Sequence, residues 1–210
     1  MTNNGRVGEA AIRVLGIGGS TRRGSKSLDL LRSAPREAEA AGAATTLADV
    51  RELDLPIYSD DRPLDDYPRS LHDMSSAARA ADAFMFCSPT YHGTVSGAVK
   101  NALDAFNFLD DNEPRYLGGK PVALLALGGG GAADVLNSLH HAARALNGLT
   151  IPTTVIASGN AVQDGAVTDE AVRRRLQGMA RELIDFTRRL RPAPEPELAE
   201  RYCLRTGVRR

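Results

Sequence analysis

The sequence predicts an α/β fold in which a parallel sheet lies between two layers of helices. Three observations lead to this prediction. Short apolar runs alternate with longer amphipathic segments, the alternation repeats five times, and the apolar runs are nearly continuous. Continuous apolar strands are typical of a parallel sheet covered on both faces, because each side chain then meets a helix. The connections between such strands are right-handed βαβ crossovers.

Five strands and five helices are predicted from the apolar runs and the periodic segments between them. The strands occupy residues 12–17, 44–50, 83–88, 122–127 and 150–157, and the helices occupy 28–41, 70–81, 96–109, 133–146 and 169–190. Five strands in this order favour a flavodoxin-like three-layer sandwich with a five-stranded parallel sheet in the order 2-1-3-4-5. A ligand of such a sheet binds at the carboxyl ends of its strands, so the loops after Ile17, Ser88 and Leu127 are the candidates.

The length of 210 residues is typical of one domain, which we place at residues 12–190. Residues 1–11 are expected to form an N-terminal tail. Residues 191–210 begin with a proline-rich break and are expected to be a tail or an arm that reaches a partner subunit. Residues 54–68 are rich in proline and aspartate, which predicts a loop after the second strand.

The charge balance and the cysteines favour a small-molecule partner and a cytoplasmic location. Basic and acidic residues number 26 each, so net charge favours neither nucleic acid nor an anionic membrane. No apolar run approaches the roughly 18 residues that a membrane span needs. Cys87 and Cys203 lie too far apart for a disulfide framework, as expected in a reducing compartment. His140 and His141 have no partner at metal-ligand spacing, and we expect no metal site.

The first candidate loop reads GIGGSTRRGSKS at residues 16–27, and its composition predicts an anion site. A turn between a strand and a helix directs backbone N–H groups and the helix dipole at a ligand. The triphosphate motif fails because Ser25 stands where lysine is needed, and the dinucleotide motif fails because Thr21 replaces its third glycine. The remaining hydroxyls and Arg22 suit one terminal phosphate. An ordinary turn with Ser25 or Ser27 as the helix N-cap is the alternative.

The second candidate loop reads SPTYHGTVSGAVKNALD at residues 88–104. Together the two loops resemble the NADPH-dependent FMN reductase family. Residues 19–27 look like its G-S-x-R-x-x-S-x-N phosphate loop, with Ser27 where asparagine is usual. Residues 88–104 look like its P-x-Y-x-G…G-x-x-K-N-x-x-D segment, and residues 128–131 stand where the family often has a Gly-Gly turn. The resemblance extends over about residues 12–190.

The resemblance implies FMN as the cofactor and assigns residues to each part of it. The residues that would surround the phosphate are Ser20, Arg22, Ser25 and Ser27. The residues that would lie along the flavin ring are Pro89, Thr90, Tyr91, His92 and Gly93, with Gly128 and Gly129 at the ring's polar edge. Tyr91 and His92 could instead form a plain surface turn. Lys100, Asn101 and Asp104 are expected to support the helix and the loop.

The resemblance also implies the activity of an NAD(P)H-dependent flavin or quinone reductase. Hydride would pass from NADPH or NADH to FMN, and a second acceptor would be reduced in a separate step. No side chain is expected to be catalytic, because atom N5 of the flavin carries the chemistry. A dedicated redox enzyme of a secondary pathway, an FMN-binding electron carrier and a flavin-free phosphate-binding protein stay open. The family further implies a homodimer or homotetramer with the flavin near a subunit boundary.

Overall fold

The computed structural model describes residues 11–191, and its centre is a parallel sheet. The strands are β1 Ile12–Gly18, β2 Ala43–Asp49, β3 Ala83–Pro89, β4 Pro121–Leu127, β5 Leu149–Thr150, β6 Val155–Ala157 and the short antiparallel pair β7 Val162–Gln163 and β8 Ala166–Val167. The sheet runs in the order β2-β1-β3-β4-β5, and β6 also pairs with β4. This order confirms the predicted flavodoxin-like arrangement.

Helices cover both faces of the sheet. They are α1 Lys26–Ala40, α2 Val50–Leu53, α3 Arg69–Ala80, α4 Gly97–Asp104, α5 Ala132–Ala145 and α6 Glu170–Leu190, with a 3-10 segment at Ala105–Leu109. Alternate side chains of the central strands enter two separate cores. Leu15, Phe84 and Leu124 pack with α3, α4 and α5, whereas Val14, Met85 and Leu125 pack with α1 and α6. Because both faces are buried, the strands are apolar throughout.

The predicted fifth strand at residues 150–157 is wrong as a single element. Residues 149–150 pair with the start of β4, where Pro121 is opposite Leu149, and residues 155–157 pair with its end, where Leu125 is opposite Val155. The four residues between them are not strand. They include Pro152, which has no N–H for a ladder hydrogen bond.

Other differences are smaller. The predicted helix at 96–109 is α-helical only to Asp104 and continues as the 3-10 segment. The sequence did not indicate α2 or the β7–β8 hairpin. The predicted tails lie outside the described residues, except for the ends nearest the domain. Among the helices of residues 11–191, none has the length and apolar character of a membrane span.

Candidate functional site

The topology brings three loops to the carboxyl edge of the sheet. The chain leaves β1 toward α1 on one face, and it leaves β3 toward α4 on the other. The neighbouring connections therefore diverge between β1 and β3, which is the topological switch point where such sheets bind ligands. The loop after β4 lies next along the same edge. The three loops selected from the sequence thus lie side by side.

The first loop lies directly against β3. A Cβ on Gly18 would be 2.1 Å from the carbonyl oxygen of Cys87, so only glycine lets the two backbones approach this closely. The Cys87 thiol donates a hydrogen bond to the carbonyl oxygen of Ser27 over 3.3 Å. Burial raises the pKa of Cys87, which keeps the thiol protonated. Gly18 and Cys87 therefore form a neutral, close-packed floor under the loop.

Three buried hydroxyls form a chain above this floor. The Ser20 hydroxyl donates to Ser25 Oγ over 3.1 Å, and Ser25 Oγ lies 2.9 Å from Ser27 Oγ. Ser20, Ser25 and Ser27 are all buried, with exposed fractions of 4%, 6% and 1%. Ser25 is also the N-cap of α1 and accepts from the Leu28 amide. The amides of Leu28 and Asp29 donate to the Ser25 carbonyl, whereas those of Lys26 and Ser27 have no partner within the described residues and are available to an anion at this end.

Two charged residues of the first loop, Arg22 and Lys26, have different surroundings. Arg22 is exposed, and its amide donates to Ser20 Oγ over 3.4 Å. Lys26, which is out of place for a triphosphate motif, donates instead to the carbonyl oxygen of Gly159 over 2.5 Å. Its ammonium thus ties the start of α1 to the turn after β6. This contact between residues 133 positions apart could not be found from the sequence.

The second loop ends in a turn at residues 91–94 that is exposed to solvent. Tyr91 and Thr94 exchange backbone hydrogen bonds of 3.0 and 3.1 Å around His92 and Gly93. Both central residues have positive φ, 49° for His92 and 77° for Gly93, as in a tight type I′ turn. Tyr91 is 46% exposed, and His92 is exposed as well. The turn is thus fixed by its backbone while two side chains stay accessible.

The third loop packs against the second. The Gly128 amide donates to the Ala157 carbonyl over 2.9 Å, and the Thr90 amide donates to the Leu127 carbonyl over 2.9 Å. A Cβ on Gly128 would be 2.2 Å from Thr90 Oγ1, so the close approach requires glycine. Gly129 faces open space. A flat ligand could therefore approach the backbone at this point.

The structure brings the eleven predicted residues to one edge, in two groups. The first group, called the hydroxyl cluster below, lies around the start of α1 and contains Ser20, Arg22, Ser25 and Ser27. The second, called the ring group, contains residues 89–93 with Gly128 and Gly129. Ser27 lies beneath Ser25 in this arrangement and has almost no exposed surface. Ser25 is the N-cap of α1, as the alternative of an ordinary turn expected, and its hydroxyl is also the middle member of the buried chain.

Two further polar residues brace loops at or beside this edge, and sequence reasoning missed one of them. The fully buried Ser88 hydroxyl accepts from the Ser96 amide over 2.9 Å, which closes the loop at its base. Asn101 bonds to the backbone of the loop at 54–68, in keeping with its predicted supporting role. Lys100 pairs with Asp104 one turn further on. The only sequence signal for Ser88 was its position at the carboxyl end of the apolar run at residues 83–88.

Known proteins resemble the chain along most of its length. A model of the NADPH-dependent FMN reductase family matches residues 12–163. An NADPH azoreductase of Bacillus sp. (strain OY1-2) is 35% identical over 127 residues, which are 60% of this chain and 67% of that protein. A probable NADPH:quinone oxidoreductase 2 of Oryza sativa subsp. japonica is 28% identical over 200 residues, 90% of this chain and 96% of the other.

A solved structure agrees with the sequence relatives. FerB, a flavoenzyme NAD(P)H:(acceptor) oxidoreductase from Paracoccus denitrificans, has a TM-score of 0.68 and 25% identity, and the match covers 85% of this chain and 98% of that one. The predicted family, with its FMN and NAD(P)H, is thereby confirmed. The chain belongs to the NADPH-dependent FMN reductase family and is an FMN-dependent NAD(P)H oxidoreductase.

Proposed function

We propose that the chain reduces a small organic acceptor, either a free flavin or a quinone, with hydride from NADPH or NADH. The observation that carries this proposal is the juxtaposition at one edge of a buried hydroxyl chain and an exposed turn. The first suits the fixed phosphate of a resident FMN, and the second leaves room for ligands that come and go. The names of the relatives, an azoreductase and a quinone oxidoreductase, support an organic acceptor.

The hydroxyl cluster would hold the FMN phosphate. Ser20 and Ser25 would offer hydroxyls, the first amides of α1 would offer N–H donors, and the exposed Arg22 would add a charge-assisted contact. Ser27 would act by fixing Ser25, since its hydroxyl is already engaged there. The neutral floor at Cys87 avoids a thiolate next to a dianion, because burial keeps the pKa of that thiol high.

The ring group would position the flavin. When bound, FMN supplies the hydride and electron chemistry that no side chain of the chain provides. The backbone of Thr90 and the open surface at Gly129 let a planar ring lie close to amide groups. Residues 91–93 form a fixed wall beside it, and Tyr91 and His92 face the solvent from which the nicotinamide and the acceptor enter.

The net reaction needs no catalytic acid or base from the protein. NADPH gives up a hydride, which carries two electrons and one proton, and the acceptor takes both electrons with that proton and a second one from water. A quinone leaves as a hydroquinone. The contribution of the chain is position, electrostatic environment and access.

A visible spectrum of the purified protein, followed by anaerobic addition of NADPH or NADH, tests this function. We expect a yellow protein that is bleached rapidly and that regains its colour when a quinone or riboflavin is added. A protein that takes up FMN and hardly oxidises either nucleotide would indicate the electron carrier. A protein that takes up no FMN would refute the proposal.

A cytoplasmic location, the domain limits at residues 12–190 and a dimer or tetramer are further proposals. The oligomer rests on the family resemblance, with the helix at 96–109 and the segment after Arg191 as interface candidates. An elution volume well below that of the 22.4 kDa monomer would support it.

A further inference from the structure

The third loop, residues 128–131, carries free backbone donors at the carboxyl edge of the sheet. The amides of Gly129, Gly130 and Gly131 donate to no group within residues 11–191. Gly131 is also the N-cap of α5, and no side chain caps this end of the helix. Free amides at the start of a helix suit the acceptor atoms of a ligand. The place of this loop therefore decides what the ring group can bind.

Two neighbours hold the third loop from opposite sides of β4. On the β3 side, a Cβ on Gly131 would be 3.0 Å from Thr90 Cγ2, so the loop lies directly against the second loop. On the other side, the Gly128 amide donates to the Ala157 carbonyl over 2.9 Å. Ala157 ends β6 and is paired with Leu127 of β4. The third loop thus lies between the second loop and the turn that follows β6.

The turn after β6, residues 158–160, is held in its turn by Lys26. Lys26 Nζ donates to the Gly159 carbonyl over 2.5 Å. The other hydrogen bonds of this turn stay within residues 158–163. In the part of the chain that the structure describes, Lys26 is therefore the one residue from another segment that forms a hydrogen bond with the turn.

Lys26 also begins α1, beside the hydroxyl cluster. It follows the N-cap Ser25, and its own amide is one of the free donors at this helix end. A cation in the first turn of a helix is placed unfavourably with respect to the helix dipole. The ammonium finds its partner at the Gly159 carbonyl instead. The backbone of Lys26 thus belongs to the proposed phosphate site, and its side chain supports the other end of the site.

We propose that Lys26 is a positioning residue that keeps the third loop in place relative to the hydroxyl cluster, so that one flavin is held at both ends. The support runs from the ammonium to Gly159, along two residues of backbone to Ala157, and across a hydrogen bond to Gly128. Without the ammonium, the third loop keeps its contact with Thr90 and loses the brace on its other side. This inference rests on the proposed placement of the phosphate and the ring, and it adds a residue that touches neither.

Hydrogen exchange at the Gly128 amide tests the brace without any flavin. Lys26→Met keeps a long unbranched side chain and removes only the donor and its charge. We expect the Gly128 amide of the full chain to exchange about fivefold faster in this variant, measured by NMR, because local opening of the turn becomes easier. Lys26→Arg should restore slow exchange, and the amide of the fully buried Phe86 should not change. Equal exchange at Gly128 in wild type and Lys26→Met would overturn the inference.

The affinities for riboflavin and FMN test the consequence at the site. Riboflavin has the ring and no phosphate, so its affinity reports on the ring group alone. We expect Lys26→Met to weaken both flavins by the same factor of about three, measured by flavin fluorescence, and Lys26→Arg to restore both. A loss for FMN alone that fades with added NaCl would overturn the inference, because Lys26 would then act on the phosphate through its charge.

Arg36→Met is the matched control. Arg36 is an exposed cation of the same helix, ten residues from Lys26, which is about 15 Å along α1. Neither the exchange of Gly128 nor the affinity for either flavin should change. Equal effects in Arg36→Met and Lys26→Met would overturn the inference. A wild-type protein that takes up no FMN would refute the proposed function, whereas the exchange of Gly128 would still decide whether Lys26 braces the third loop.

Discussion

The loops after β1 and β3 are neighbours at one sheet edge, yet their side chains are arranged in opposite ways. The three serine hydroxyls of the first loop turn inward and bond to one another, and these serines are between 1% and 6% exposed. The second loop fixes only its backbone, and Tyr91 and His92 face solvent. Part of the edge is thus prearranged before any ligand arrives, and part is left adaptable.

This difference matches the two kinds of ligand that a flavin reductase handles. A resident cofactor is bound best by groups that lose little freedom on binding, and buried, interlinked hydroxyls have lost it already. Ligands that exchange in every cycle need access and moderate affinity. The inward loop is therefore expected to be sensitive to substitution and the outward loop tolerant.

The largest effect is expected for Gly18→Ala in the floor of the inward loop. The new methyl group would lie 2.1 Å from a backbone oxygen that cannot move without separating β1 from β3. We expect a loss of about 4 kcal/mol or more in the free energy of unfolding, measured by urea titration. Gly178→Ala in α6 has open space and is the control, expected to be neutral or stabilising. Similar losses in both variants would contradict the close-packed floor.

The second effect is a pH dependence of the free energy of unfolding, caused by Cys87 in the same floor. Burial raises the pKa of Cys87 above its unfolded value near 9. Its stabilising contribution is therefore complete below pH 9 and falls as the pH rises, because only the unfolded state then releases the proton. Between pH 9 and 11 we expect wild-type stability to fall more steeply than that of Cys87→Ala, by about 1.4 kcal/mol per pH unit. Parallel slopes would show that the thiol titrates freely.

The third effect concerns the hydroxyl chain and a phosphate. Ser25→Ala removes its central member and is expected to weaken FMN binding about tenfold, with a loss of about 1 kcal/mol from the helix cap. Ser27→Ala should weaken it less, since Ser27 acts through Ser25. Riboflavin affinity, measured by flavin fluorescence, is the control and should hardly change in either variant. A parallel loss of riboflavin affinity would mean that the chain supports the ring site instead.

The smallest effects are expected in the outward loop. Tyr91→Phe and His92→Gly leave the turn intact, because the turn depends on backbone hydrogen bonds and glycine suits the positive φ at position 92. We expect unfolding free energies within about 0.5 kcal/mol of wild type and changes of only a few-fold in turnover. Flavin content is measured alongside, so that turnover refers to loaded enzyme. A hundredfold loss of turnover in either variant would make that side chain essential and end the contrast between the loops.

The sequence was sufficient for the order of the sheet and for selecting three loops that lie side by side at its carboxyl edge. Continuous apolar runs such as residues 83–88 report burial on both faces, and glycines after β1 and β4 report close approach. It was insufficient where a partner is distant along the chain. Lys26 meets Gly159, and Asn101 meets Pro56 and Tyr58, through tertiary packing alone. The last strand is split at Pro152, which cannot donate a ladder hydrogen bond. The continuous apolar pattern of residues 150–157 gave no sign of this break.

That split gives the sheet a poor edge for further growth. An intact outer strand would offer a row of N–H and C=O groups to any extended chain, as happens in aggregation. Here β5 contributes two residues and β6 three, with a proline between them. An incoming strand would find no continuous ladder to extend. The interruption thus protects this side of the domain from edge-to-edge association, although Leu149 and Ile156 are exposed there.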